Sequence, residues 1–267
     1  MLRVNPTAGA LSDLARTLWA WLVGWWRIVH LGALLLVLAA SPASHDRVQR
    51  AAFARHVVLG TAPALLWFGV LSALLSLVVI RIVLVTAVSY GLSQYALEMM
   101  VRVLVLELIP LAAALFAAFR CTLPHGLDIA ALRAGGAWDA MRARGVDPLR
   151  REVLPRVLAG VFAGWMLAAT SCVLTLVIAY LSVYGLTAAG FAGYTRTVGH
   201  VFAPAVALIF VLKVVFMSLA VSLIPVASAL YERPRPQMRT SVELQALVRM
   251  FIVILLIEAA SLAGNYA

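Results

Sequence analysis

Residues 57–80 read VVLGTAPALLWFGVLSALLSLVVI, a run of 24 residues without one charged side chain. A helix rises about 1.5 Å per residue and the hydrocarbon core of a bilayer is about 30 Å thick, so about 20 such residues cross it. Only a helix or a closed barrel satisfies its backbone amides in lipid, and this run has the length and unbroken apolarity of a helix. It predicts a membrane span. Four more apolar stretches follow at 97–119, 153–184, 201–225 and 246–263. The whole chain of 267 residues is 64% apolar and only 12% charged, about half the charge of a soluble domain. A soluble enzyme is excluded, and so is disorder, which needs the opposite bias.

The net charge of +10 is almost all arginine, since Lys213 is the only lysine. The arginines fall in alternate connections. Arg47, Arg50 and Arg55 precede the first span. Arg120, Arg133, Arg142, Arg144, Arg150, Arg151 and Arg156 lie between the second and third, and Arg233, Arg235 and Arg239 between the fourth and fifth. The remaining connections hold Arg81, Arg196 and nothing after Glu258. The positive-inside rule turns this alternation into a cytoplasmic amino terminus and an outward carboxyl terminus. Basic charge of this kind meets lipid headgroups, and without a soluble domain it predicts no nucleic-acid partner.

Upstream, residues 14–26 carry Trp19, Trp21, Trp25 and Trp26 between Arg16 and Arg27. Indole rings favour the headgroup level, so the expectation is a helix lying in the cytoplasmic interface, dipping inward at 31–40, a stretch too short to cross. The alternative is a sixth span, which would change nothing downstream. No small-residue cleavage site follows a clean apolar core, so the segment does not read as a cleaved signal. The predicted architecture is an all-α polytopic membrane protein. Residues 1–56 form the interfacial region, and 57–267 form a unit of about five transmembrane helices with a helical cytoplasmic loop at 120–156.

That loop is the least lipid-like part. Leu127, Ala130, Ala131 and Ala134 share one helical face, and Trp138 and Met141 another. Gly135 and Gly136 separate the two helices, Gly145 ends the second, and Asp147 with Pro148 starts a third. Two readings stand side by side: a folded connector whose arginines hold phosphates, or a docking element whose apolar knob, Trp138 or Met141, enters a partner's groove.

Charges inside the spans are costly unless paired or wet. Glu98 and Arg102, four apart, can pair on one helix face. Lys213 sits midway along its span and needs an acceptor, with Glu107 the first candidate; Glu258 lies in the last span. Lys213 and Glu107 either lock two helices or line a wet cavity that attracts an anionic headgroup. Tyr90, Tyr95, Tyr180 and Tyr184 fall where interfacial aromatics do. Gly60, Gly69, Gly160 and Gly164 are expected to let helices approach closely. Cys121 and Cys172 fit no metal or redox spacing, the histidines are scattered, and no phosphate-binding loop or nucleophile motif occurs. No catalytic or metal-ligating residue is predicted, and any ATP must be bound by a separate subunit.

Several elements taken in order, namely Glu107-Leu108-Ile109-Pro110, Ala118-Phe119-Arg120, Leu132-Arg133, and Gly145-Val146-Asp147-Pro148-Leu149-Arg150 with Pro155-Arg156, resemble the MlaE-type permease family of ABC transporters. Lys213-Val214-Val215-Phe216 is similar to the start of a later family helix. The chain departs from the pattern at Leu106, Ile109, Leu123, Pro124 and Gly136, and it lacks the family's glycine-rich stretch after Tyr231. The resemblance implies a permease of the bacterial inner membrane that moves phospholipid or a related lipid between inner and outer membranes. It implies as partners a cytoplasmic ATPase subunit, a periplasmic mammalian-cell-entry domain protein, and a second permease, identical or divergent. The ATPase-coupling residues it implies are Asp128, Arg133, Trp138, Asp139, Met141, Arg142, Arg144, Gly145, Asp147, Pro148, Arg150 and Arg156. The substrate-cavity candidates are Glu98, Arg102, Glu107 and Lys213. Two other classes remain: a proton-coupled secondary transporter using Glu98, Glu107 and Lys213, and a structural subunit of a secretion complex.

Overall fold

Every apolar run becomes helical over nearly all of its length. The computed structural model describes residues 6–41, 47–231 and 239–266, and no strand occurs among them. Helix α1 (Pro6–Ala40) is followed by α2 (Arg47–Ser89). A continuous helical rod over 93–134 then contains α3 (Ser93–Met100), α4 (Ile109–Ala117) and α5 (Leu123–Ala134). The short α6 (Ala137–Ala143) leads to α7 (Leu154–Tyr184), α8 (Phe191–Val201), α9 (Pro204–Tyr231) and α10 (Arg239–Tyr266). Arg233 and Arg235, His45, and the segment just after Tyr231 lie outside the described residues.

Three π-helical turns interrupt these helices, at Val101–Leu108, Ala118–Thr122 and Leu149–Val153. Each ends two residues before a proline: Pro110, Pro124 and Pro155. A proline inside a helix lacks the donor for the carbonyl four residues back, and its ring presses on that carbonyl. A wider turn just upstream makes room for the ring while the helix stays continuous.

Helix α7 is the hub, packed on α2 along one side and on α4 and α9 along others, with α10 laid against α9. Helices α2 and α7 run parallel. The Phe53 and Phe162 rings are 6.4 Å apart near the arginine-rich end, and the Ser76 and Thr175 hydroxyls meet at 2.8 Å farther along. Phe68, Leu167, Met217 and Ile224 are fully buried at the centre. The α7–α9 seam is made of small residues. Ser222 Oγ donates to the Val157 carbonyl at 2.7 Å. A Cβ on Gly160 would lie 2.5 Å from Ser222 Oγ, and one on Gly164 would lie 2.7 Å from Ser218 Oγ. Gly60 and Gly69, expected to serve the same purpose, do not: a Cβ on either would meet nothing within 4 Å. They face outward, where the sequence pattern could not distinguish lipid from a neighbouring helix.

At the end remote from the arginine-rich loop, the connection carrying Arg196 holds a helix the hydropathy did not reveal. Helix α8 covers α3 and the first π-helical turns. Tyr180, Tyr184, Phe191 and Tyr194 cluster there edge to face, while Tyr90 and Tyr95 are exposed. The Tyr194 hydroxyl donates to the Leu176 carbonyl at 2.7 Å, and burial, with Tyr184 beside it, pushes the phenol up to about 12.

Among the described residues six helices are long and apolar enough to cross a membrane, one more than the five apolar stretches predicted. The extra one is Trp21–Ala40 within α1, because the stretch thought too short is continuous with the tryptophan segment. Its contacts follow a particular path. Arg249 of α10 packs on Gly24, the Arg27 guanidinium lies 5.7 Å from the Tyr231 ring centre, Leu223 touches Gly32, and Ala39 reaches a groove shared with Arg50 and Leu154. Tyr231 ends α9, and Arg50 and Leu154 stand near the starts of α2 and α7. All these neighbours belong to the arginine-rich end of the bundle.

The seam gives a sharp expectation. Gly160→Leu and Gly164→Leu should overpack α7 against α9 and cost about 1–3 kcal/mol each, read as a fall in melting temperature in detergent. Gly69→Leu, which meets open space, should melt with the parent chain.

Candidate functional site

Two places gather the polar residues of this apolar chain. The first is a buried ion cluster. The Lys213 ammonium is 2% exposed and has three N–H groups, each with an acceptor. It donates to the Leu106 carbonyl at 3.0 Å, to Glu107 Oε2, and to Glu258 Oε1 at 2.9 Å. Asn265 Nδ2 then donates to Glu107 Oε1 at 3.2 Å, so the last turn of α10 closes over the first carboxylate. The expected Lys213–Glu107 pair is present, and Glu258 joins it as a third partner that the site candidates left out. A second acid in a span, with no partner on its own helix, was the signal for it.

Local sequence arranges this site. Pro110 has no N–H to offer the Leu106 carbonyl four residues back, and it is this carbonyl that Lys213 uses. Leu106 departs from the family pattern in its side chain, but it contributes through its backbone, so the substitution leaves the acceptor in place. Glu98 and Arg102 make their own pair at 3.0 and 3.1 Å and are only half-buried. They bond to each other one and two turns up the rod, and the cluster itself contains Lys213, Glu107, Glu258 and Asn265.

The second place is the loop, which is a folded elbow. Gly135 and Gly136 break α5 from α6, and Gly136 sits at φ +71°, a conformation that favours glycine. The glutamate usual in the family at this point would be strained there. At the end of α6 the Gly145 amide donates to the Arg142 carbonyl at 2.9 Å and the Val146 amide to the Met141 carbonyl at 3.0 Å. This is a Schellman stop with Gly145 left-handed at φ +74°. Asp147 Oδ1 then accepts from the Leu149 amide at 3.0 Å, as expected of a cap before Pro148.

The twelve loop residues divide by burial. Asp128, Asp139, Arg142, Arg144, Gly145 and Asp147 are exposed, and Met141 is half-buried. Trp138 is turned inward at 7% exposed, part of the central core, with the Arg142 guanidinium 5.9 Å from its ring centre. It anchors α6, which leaves Met141 the more exposed of the two expected knobs. Pro148 is buried. Arg150 is half-buried, and Arg156 is tied to Glu152 through the carbonyl at 2.7 Å and the carboxylate at 2.5 Å. Arg133 reaches across to the Ala229 carbonyl in the last turn of α9 at 2.7 Å, where a cation meets the negative end of the helix. A Cβ on Gly126 would be 3.0 Å from the Pro225 carbonyl, so α5 lies directly on α9.

Long apolar helices around a buried ion cluster, with a charged elbow at one end, define a multi-pass membrane protein. No group of acidic, histidine and cysteine side chains among the described residues could hold a metal. The chain belongs to the MlaE permease family: residues 53–263 match the family model described as Permease MlaE. The match includes the elbow, Lys213, Glu107 and Glu258 of the ion cluster, and most of every helix after α1. No individual curated protein matched the chain.

Removing one member of a buried ion pair leaves an uncompensated charge and costs about 3–5 kcal/mol. Lys213→Ala should therefore lower the melting temperature and yield far more than Arg102→Ala, whose partner is half-exposed. The double change Lys213→Met with Glu107→Gln should recover part of the loss, checked by fluorescence-detected size exclusion.

Proposed function

We propose that this chain is the membrane permease of a lipid ABC transporter, moving phospholipid or a related hydrophobic lipid between the inner and outer bacterial membranes. It sits in the inner membrane with its amino terminus and elbow in the cytoplasm, an orientation that the alternating arginines support. A separate ATPase subunit binds the nucleotide and grips the elbow. A periplasmic mammalian-cell-entry domain protein receives or delivers the lipid, and a second permease copy, identical or divergent, completes the channel. The observation that carries this reading is that the family match runs through an elbow whose Asp128, Asp139, Arg142, Arg144 and Asp147 are exposed while Trp138, Arg133 and Arg156 are held against the bundle. Nucleotide-driven closure of the ATPase pair would shift the bundle between two states of different lipid affinity.

In this reading α1 lies in the cytoplasmic interface, with residues 1–56 forming an elbow region beside the permease unit 57–267. Its neighbours support that path, and Trp19 and Trp26 stand exposed where headgroups would lie. The proton-relay alternative loses support because Glu98 is engaged with Arg102, outside the Lys213 cluster. Uptake by the chain alone in a proton gradient, without ATP, would revive it, and absence of lipid from the purified complex would favour a purely structural subunit.

The elbow residues make the test. Arg142→Glu with Arg144→Glu, both exposed, should cut co-purification of the ATPase subunit about tenfold without lowering the melting temperature of the permease. Trp138→Ala should instead destabilise the fold by about 3–5 kcal/mol. Full ATPase recovery and turnover with the charge-reversed elbow would defeat the docking role.

A further inference from the structure

One groove lies outside both sites. It has a volume of about 590 Å³, and α1, α2 and α7 form its walls at the arginine-rich end. Its floor is one stripe of α7, with Leu154, Leu158, Phe162, Trp165 and Ala169 spaced at the period of a helix face. Phe53 of α2 and Ala39 of α1 stand on either side. Leu158, Phe162 and Trp165 are each about two-fifths exposed, so the stripe is open to whatever adjoins it. From Leu154 to Ala169 the floor is about 22 Å long, against about 15 Å for one leaflet of the hydrocarbon core.

Of the described lining residues Arg50 alone is charged, and none is a carboxylate. No carboxylate among the described residues pairs with Arg50. That asymmetry selects the occupant. An apolar helix from a second copy, seated here, would cover the guanidinium without a counter-charge, a cost of several kcal/mol. A phospholipid offers both complements: a phosphodiester that a guanidinium binds through paired N–H groups, and an acyl chain that runs along α7 in the direction the groove runs.

We infer that this groove holds a resident phospholipid from the leaflet at the arginine-rich end, its phosphate on Arg50 and one acyl chain laid along the Leu154–Ala169 stripe. Bound there, the lipid fills the joint between α1, α2 and α7 and fastens α1 to the bundle. The site is separate from the Lys213 cluster, and its occupancy requires neither an ATPase nor transport.

The test uses the full chain in mild detergent, with native mass spectrometry after addition of phosphatidylglycerol or of diacylglycerol bearing the same acyl chains. The parent chain should retain one phosphatidylglycerol in preference to diacylglycerol. Arg50→Ala should lower phosphatidylglycerol retention about tenfold, the order expected for losing a charge-assisted contact, and leave diacylglycerol retention unchanged. Arg50→Lys should restore part of it. Leu158→Trp, which fills the groove, should weaken both lipids; if that chain fails to fold, Ala169→Leu narrows the groove more gently and should act in the same direction. A benzophenone side chain placed at Phe162 should crosslink to lipid. Equal retention by the parent, Arg50→Ala and groove-filling chains would overturn the inference, and so would a crosslinked dimer from position 162, which would make a second copy the occupant.

Discussion

An ammonium group away from water needs an acceptor for each of its three N–H bonds, and the interior of this bundle is built to give Lys213 three. The acceptors come from separate elements: a backbone carbonyl and a carboxylate from the rod, and a second carboxylate from α10, with the lysine itself on α9. Apolar packing alone gives helices in lipid little preference for one register over another, since lipid tails are as apolar as leucine. A lysine that must meet all three acceptors fixes the rotation and height of three helices at once. The Gly160 and Gly164 seam then sets how closely α7 approaches α9, with shape doing there what charge does at the cluster.

The cluster and the elbow share two elements. The rod carries Glu107 near one end and α5 at the other, and α9 carries Lys213 and, farther along, Pro225 and Ala229. These helices are pinned together at Lys213 and again where Arg133 and Gly126 meet α9. A force applied to the elbow therefore acts on α9 as well as on the rod. Between the pins lies the π-helical stretch Ala118–Thr122, ahead of Pro124, where the hydrogen-bond ladder changes its period. Of the stretch between the pins it is the part least held by regular backbone bonding, so bending there would spare both pins.

The sequence made the spans, the elbow and the Lys213–Glu107 pair legible, each for a physical reason. Uncharged runs of about 20 residues have one low-energy fate in lipid, glycine and proline mark breaks by their backbone limits, and a buried lysine demands an acid. What stayed hidden depended on which neighbour a residue faces. An apolar residue in a charged loop, such as Trp138, is equally suited to a partner's groove and to its own core. Gly69 and Gly164 look alike until a facing helix distinguishes them. Glu258 lies 45 residues from Lys213, and nothing local to either predicts their meeting. The π-helical turns leave no side-chain period, although a proline two residues downstream of each was the available clue.

Length and hydropathy make Trp21–Ala40 a candidate span. A helix that crossed would carry its far end to the level of Ser89 and Tyr184, where α2 and α7 finish. The last turns of α1 line a groove whose walls include Arg50 and Leu154, near where those helices begin, and Arg27 lies on Tyr231 at the end of α9. These neighbours are those of the interfacial path proposed above, and Ile28, Leu31 and Leu35 are turned to the protein. Arg27 is tolerated in so apolar a helix because the Tyr231 ring face receives its charge. The family match, which begins at residue 53, leaves this helix outside the matched residues.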